Sequence, residues 1–164
     1  MRQTLERAAA PAVLDSAQIK DLSGLDLFRG MIEGRLPPAP ITETAGFILT
    51  AAERGRVTFH GMPTPEYYNP LGAVHGGWIT MLLDSCMACA VHTTLAAGQL
   101  YTTVELKVNF VRPVFADTGP VQAEGRLIHA GKQLATAAGT LTDTTGKILA
   151  HATTTCMIFP QGAK

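Results

Sequence analysis

The chain has no surplus of either charge: thirteen Lys and Arg residues are cancelled by thirteen Asp and Glu. Neutrality removes the electrostatic case for nucleic acid or an anionic membrane as partner. Charge is also scarce, at 16% of residues against 46% hydrophobic, which implies extensive burial with room for subunit contacts. Cysteine is limited to Cys86, Cys89 and Cys156, an odd number that argues against a disulfide framework. Met1 to Ala10 is charged and lacks the apolar core of a secretory signal. Both features fit a reduced, cytoplasmic setting. The apolar stretch from Trp78 to Val91 is too short for a membrane span and is interrupted by Asp84. A P-loop, a dinucleotide GxGxxG in its strand-then-helix context, internal repeats and low-complexity tracts are all missing.

What remains is one domain of 164 residues, long enough for a proper core. Met1 to Lys20 is Ala-rich and reads as a loose arm or a marginal helix. Ser23 can cap a helix carrying Leu25, Leu27, Phe28, Met31 and Ile32 at helical spacing. Gly34 can end that helix, and the run from Leu36 to Pro40 predicts an extended connector. Residues 1–40 are thus an arm with an accessory helix, and 41–160 the main domain. Strands are predicted at Gly46 to Ala52 and Arg56 to Gly61, joined by a turn at Gly55. A proline- and glycine-rich loop leads to a helix starting near Gly76. Four more strands follow: Tyr101 to Val111, Pro120 to His129, Gln133 to Thr142 and Lys147 to Phe159. In the first of these, Val104, Leu106, Val108 and Phe110 alternate with Thr103, Glu105, Lys107 and Asn109, which puts the two sets on opposite faces.

The helix from Gly76 to His92 is apolar nearly all round, so it belongs in the interior. About six strands are available to wrap it as a curved antiparallel sheet, giving an α+β fold. One sheet covers only part of a helix, which leaves surface for a second subunit. Between Glu66 and Glu105 the only Asp, Glu, Lys or Arg is Asp84. A lone carboxylate in an apolar helix is costly to bury unless paired, so Asp84 is a candidate general base or nucleophile. Gly76 and Gly77 sit where the helix begins, with unpaired N–H groups at its positive end that could polarise a carbonyl. Gly76 and Asp84 are eight residues apart, about 12 Å along one helix. A single reacting carbonyl cannot meet both, so the pattern predicts sites shared between two copies of the chain across a two-fold interface.

Asn69-Pro70-Leu71-Gly72, then His75-Gly76-Gly77, then Asp84 seven residues after the second glycine, resembles the signature of hotdog-fold acyl-CoA thioesterases, in particular the PaaI-type branch related to phenylacetate degradation. The run from Thr103 to Pro113, Gly125 through Gly131, and Ala150 to Thr153 resemble its later strands, so the likeness spans Phe28 to Phe159. It implies a hotdog fold, hydrolysis of an acyl-CoA to free acid and CoA, and dimers with composite sites that pair into tetramers. It also implies that Thr103 holds the attacking water and that Asn69 organises the site. An ordinary strand threonine and an Asn-Pro turn initiator are the competing readings. His75 either hydrogen-bonds near the thioester or braces the loop.

Arg112, Arg126 and Lys132 lie near strand ends or turns, where they could hold the CoA phosphates or simply be solvated. Cys86, Cys89 and His92 could be imagined as metal ligands, but a lone CxxC inside a helix reads better as small buried hydrophobes, and no metal or other cofactor is expected. A non-catalytic acyl-CoA-binding hotdog module and a hotdog dehydratase using His75 with Asp84 are the alternatives to hydrolysis.

Overall fold

The structure is a computed structural model describing residues 10–162. The Met1 to Ala10 signal reading falls almost wholly outside that range. Helix α4 (Gly76–His92) forms the centre. Six antiparallel strands curve around it: β1 (Phe47–Glu53), β2 (Arg56–Gly61), β3 (Gln99–Phe110), β4 (Val121–Ala130), β5 (Leu134–Asp143) and β6 (Ile148–Pro160). Their order in the sheet is β1-β2-β4-β5-β6-β3. This is the α+β arrangement the sequence predicts, a hotdog fold.

Helix α4 can lie close to the sheet because the residues beneath it are small. Ala123 and Gly125 on β4, and Ala135, Ala137 and Gly139 on β5, alternate inward and form its seat. A Cβ on Gly125 would stand 2.1 Å from the Cys86 carbonyl oxygen, so only glycine permits this approach. Leu82, Leu83 and Met87 are fully buried against the sheet, each worth about 1.5–3 kcal/mol of burial. A stripe of α4 escapes the sheet: Thr80, Met81, Asp84, Ser85, Cys89 and His92 are only partly covered. The site is built on that stripe.

Before the sheet come α1 (Ser16–Ile19), α2 (Gly24–Ile32) and α3 (Pro40–Thr44). Asp15 caps the single turn of α1. Ser23 caps α2 by accepting from the Asp26 N–H at 3.2 Å, and Leu27 and Phe28 bury one face of it. Pro40 corrects the expectation of a connector extended to its end: it opens α3, where a missing N–H costs nothing and its fixed φ suits a first turn.

Strand β3 brings a second correction. Its pairing with β6 shifts register between Thr103 and Glu105, a bulge that leaves Val104 as the extra residue. Strict alternation fails there. Thr103 turns towards α4, while Val104 is 54% exposed instead of sharing a buried face with Leu106. Among the described residues no helix is long and apolar enough to cross a membrane.

Candidate active site

The residues between β2 and α4 form a tightly tied loop. The Asn69 side-chain oxygen accepts from the Leu71 and Ala73 N–H groups at 2.9 and 3.3 Å, and the Asn69 N–H donates to the Ala73 carbonyl at 2.7 Å. Asn69 therefore shapes the turn, the competing role read from its Asn-Pro context. Tyr67 stacks on Trp78, whose indole N–H donates to the Ala45 carbonyl at 2.7 Å. These contacts fix the start of α4.

His75 is the N-cap of α4. Its Nδ1 accepts from the Gly77 N–H at 2.9 Å, so this ring nitrogen carries no proton. The bracing role is the one its geometry displays. Gly77 is thereby committed to the cap, and the Gly76 N–H is the free donor at this end among the described residues. The Phe110 ring lies against Gly76, where a Cβ would come within 3.0 Å of it.

Two turns further along α4, Asp84 and Thr103 meet. The bulge in β3 aims the Thr103 hydroxyl at the helix, and it donates to Asp84 Oδ1 at 2.9 Å. Gly76 and Asp84 do not come together, because one helix carries both and separates them by about 12 Å.

Asp84, Ser85, Thr102 and Thr103 line one part of a cavity of about 780 Å³. Much of the remaining wall is apolar and comes from α2, the segment after it and β1, including Leu27, Phe28, Met31, Leu36, Ile41 and Phe47. No motif marks this wall in the sequence, because a cavity lining has no spacing signature. The helical apolar stripe of α2 was the one available signal. His92 lines the cavity between the rings of Phe28 and Tyr101, and burial pushes its pKa down to about 4. Burial likewise drives the Tyr101 hydroxyl upward and the Cys89 thiol up to about 12, so Cys89 is no thiolate nucleophile.

The cationic candidates separate. Arg112 follows β3 and donates to the Ile148 carbonyl, at the start of β6. Lys132 lies in the β4–β5 turn, beside Gln133, whose carbonyl accepts from Ile158 near the end of β6. Ten residues of strand divide Ile148 from Ile158, about 33 Å. The two side chains of one chain do not share a phosphate. Arg126 is paired with Glu124, which also holds Arg56. Among the described residues no His, Cys, Asp and Glu side chains cluster as a metal site.

The comparisons with known proteins agree with this architecture. The sequence profile of the thioesterase superfamily matches residues 71–150, from the loop before α4 into β6. The phenylacetic acid degradation-related protein of Ralstonia eutropha JMP134 superposes with a TM-score of 0.72 at 32% identity, covering 79% of this chain and 98% of that one. The PaaI protein of E. coli gives 0.72 at 19% identity, covering 85% and 96%, a likeness of fold. A 1,4-dihydroxy-2-naphthoyl-CoA hydrolase of Listeria monocytogenes is 25% identical over 109 residues, 66% of this chain and 87% of its own length. The fold and these likenesses together define a hotdog-type thioester hydrolase. The chain belongs to the thioesterase superfamily, among its PaaI-related members.

Proposed function

We propose that the protein hydrolyses acyl-CoA thioesters to the free acid and CoA, with Asp84 activating the attacking water. The observation that carries this reading is the Thr103–Asp84 hydrogen bond at the cavity wall. It holds one carboxylate oxygen and leaves the other for water. Water adds to the thioester carbon as Asp84 takes its proton, and the tetrahedral intermediate expels the CoA thiolate, which takes that proton back from Asp84. The oxyanion formed in between is stabilised by the Gly76 N–H of a second copy of the chain, at a helix N-terminus. Direct attack by Asp84 is the other route open to the same carboxylate. The chemistry needs no metal or further cofactor; CoA enters only as part of the substrate.

The dimer reading has two supports. The Gly76–Asp84 separation prevents a site within one chain. Strand β3 is also the sheet's edge, and Val104, Phe110 and Val111 expose 54%, 54% and 47% of their surface along it or just beyond. A long apolar edge is a liability unless another chain covers it. Pairing of dimers into tetramers and a cytoplasmic, thiol-reducing location complete the proposal, the latter in keeping with three free cysteines. The CoA phosphates fall to Arg112 or Lys132, from different ends of the sheet.

Release of free thiol from a panel of acyl-CoAs tests the activity. Asp84→Asn should lower kcat by about 10²–10⁴. A variant as fast as the parent protein would sink the assignment.

A further inference from the structure

We propose that the accessory segment before the sheet, α2 with the residues that follow it, forms the acyl-chain pocket and selects unsubstituted acyl chains of medium to long length. This rests on the hydrolase reading above. The cavity beside Asp84 measures about 780 Å³. At roughly 30 Å³ per heavy atom, an acetyl group fills about 90 Å³ and a dodecanoyl group about 400 Å³. A short acyl group would leave most of the apolar wall uncovered, whereas a dodecanoyl group uses it and still leaves room for the thioester end of the CoA arm.

The chemistry of the wall argues against a hydroxylated acyl group. Leu27, Phe28, Met31, Leu36 and Ile41 offer no hydrogen bond. Of the polar groups that the accessory segment contributes, Glu33 holds Arg35, and the Thr42 hydroxyl donates to the Ala39 carbonyl at 2.7 Å. The hydrogen-bonding side chains of the lining, among them Ser85, His92, Tyr101, Thr102 and Thr103, belong to α4 and β3 and not to this segment. A ring hydroxyl carried against this apolar wall would lose its water without a replacement, which is unfavourable.

The segment is also locked in place. Gly24 packs so closely under the end of α4 that a Cβ would stand 1.9 Å from the His92 carbonyl oxygen, and its N–H donates to the Leu95 carbonyl at 3.2 Å. The pocket wall is thus anchored to the helix that bears Asp84.

The test is a kcat/KM series over acetyl-, butyryl-, octanoyl-, dodecanoyl- and phenylacetyl-CoA by thiol release. Each buried methylene is worth up to about fourfold, so dodecanoyl-CoA should exceed acetyl-CoA by at least roughly a hundredfold and should also exceed phenylacetyl-CoA. Met31→Trp, which fills the cavity from α2, should lower the dodecanoyl-to-butyryl ratio by about tenfold or more, and Met31→Ala should not. Ala39→Phe, also on the cavity wall, serves as a second filling variant, with circular dichroism checking that each is folded. Calorimetric binding of the same acyl-CoAs to Asp84→Asn should follow the same order. Turnover without length dependence, or an unchanged ratio in both folded filling variants, overturns the pocket assignment and leaves hydrolysis standing. Length-dependent binding with no turnover by the parent protein leaves the pocket standing and overturns hydrolysis. Neither binding nor turnover overturns both.

Discussion

The Thr103 hydroxyl donates to Asp84 Oδ1 at 2.9 Å, joining the edge strand of the sheet to the helix it encloses. The bond exists because Val104 bulges out of β3 and turns its neighbour inward. It does two things at once: it lowers the cost of a half-buried carboxylate and fixes its orientation.

Thr103 is therefore expected to act through Asp84. Thr103→Val keeps the shape and removes the donor, and should lower kcat by roughly tenfold or more with a smaller change in KM. Thr103→Ser should recover most of the loss. Steady-state kinetics on one acyl-CoA check both, and equal activity in Thr103→Val would leave the hydroxyl a purely structural role.

How much of this was legible in the sequence follows from what each feature depends on. The strands came from alternation and turn residues, and α4 from an apolar run ended by polar punctuation, all local signals. Asp84 stood out because it is alone among apolar neighbours. The inward turn of Thr103 was not legible as geometry, because a bulge shifts the alternation by one and is set by pairing with β6. The capping of Gly77 by His75 depends on a side-chain rotamer. The cavity depends on where α2 docks, and that is decided by Gly24 meeting the far end of α4.

Gly24→Ala tests that docking. The added methyl meets a backbone carbonyl that cannot move without disturbing α4. Overpacking of this kind costs about 1–3 kcal/mol. The expected outcome is a lower urea midpoint with an unchanged slope. A fall in activity on long acyl-CoAs should accompany it. An alanine variant of parental stability would show that α2 docks more loosely than its contacts indicate.

His92 predicts an acid-sensitive window. Its folded pKa is about 4 because burial disfavours the charged ring, against about 6.5 in the unfolded chain. Between those values the unfolded state binds the extra proton, so stability rises with pH. The contribution is complete above about pH 6.5 and declines to nothing as pH falls to about 4, by at most about 3 kcal/mol. Glu124 acts in a lower window: burial opposes its charge, but hydrogen bonds from Arg56 and Arg126 prevail and hold its pKa below the usual carboxylate value. Its contribution is therefore lost only as pH falls further. Urea midpoints from pH 7 to pH 4 should decline in the parent protein and much less in His92→Phe. Parallel declines would assign the sensitivity to other groups.

The separation of Gly76 from Asp84 permits a complementation test. Gly76→Pro removes the N–H at the first helical position, where proline is otherwise tolerated. Its ring approaches Phe110, so Phe110→Leu is introduced alongside to make room. That chain and an Asp84→Asn chain should each be inactive alone, and Phe110→Leu by itself is the control. In a mixed dimer with sites shared between chains, one site receives both defects and the other receives neither. Random pairing makes half the dimers mixed, so unfolding and refolding the two variants together should restore roughly a quarter of the control activity. If each chain held a complete site, mixing would restore nothing. Activity regained on mixing, and lost again when the variants are separated by affinity tag under denaturing conditions and refolded apart, would establish that each carboxylate works on a carbonyl held by the other chain's helix.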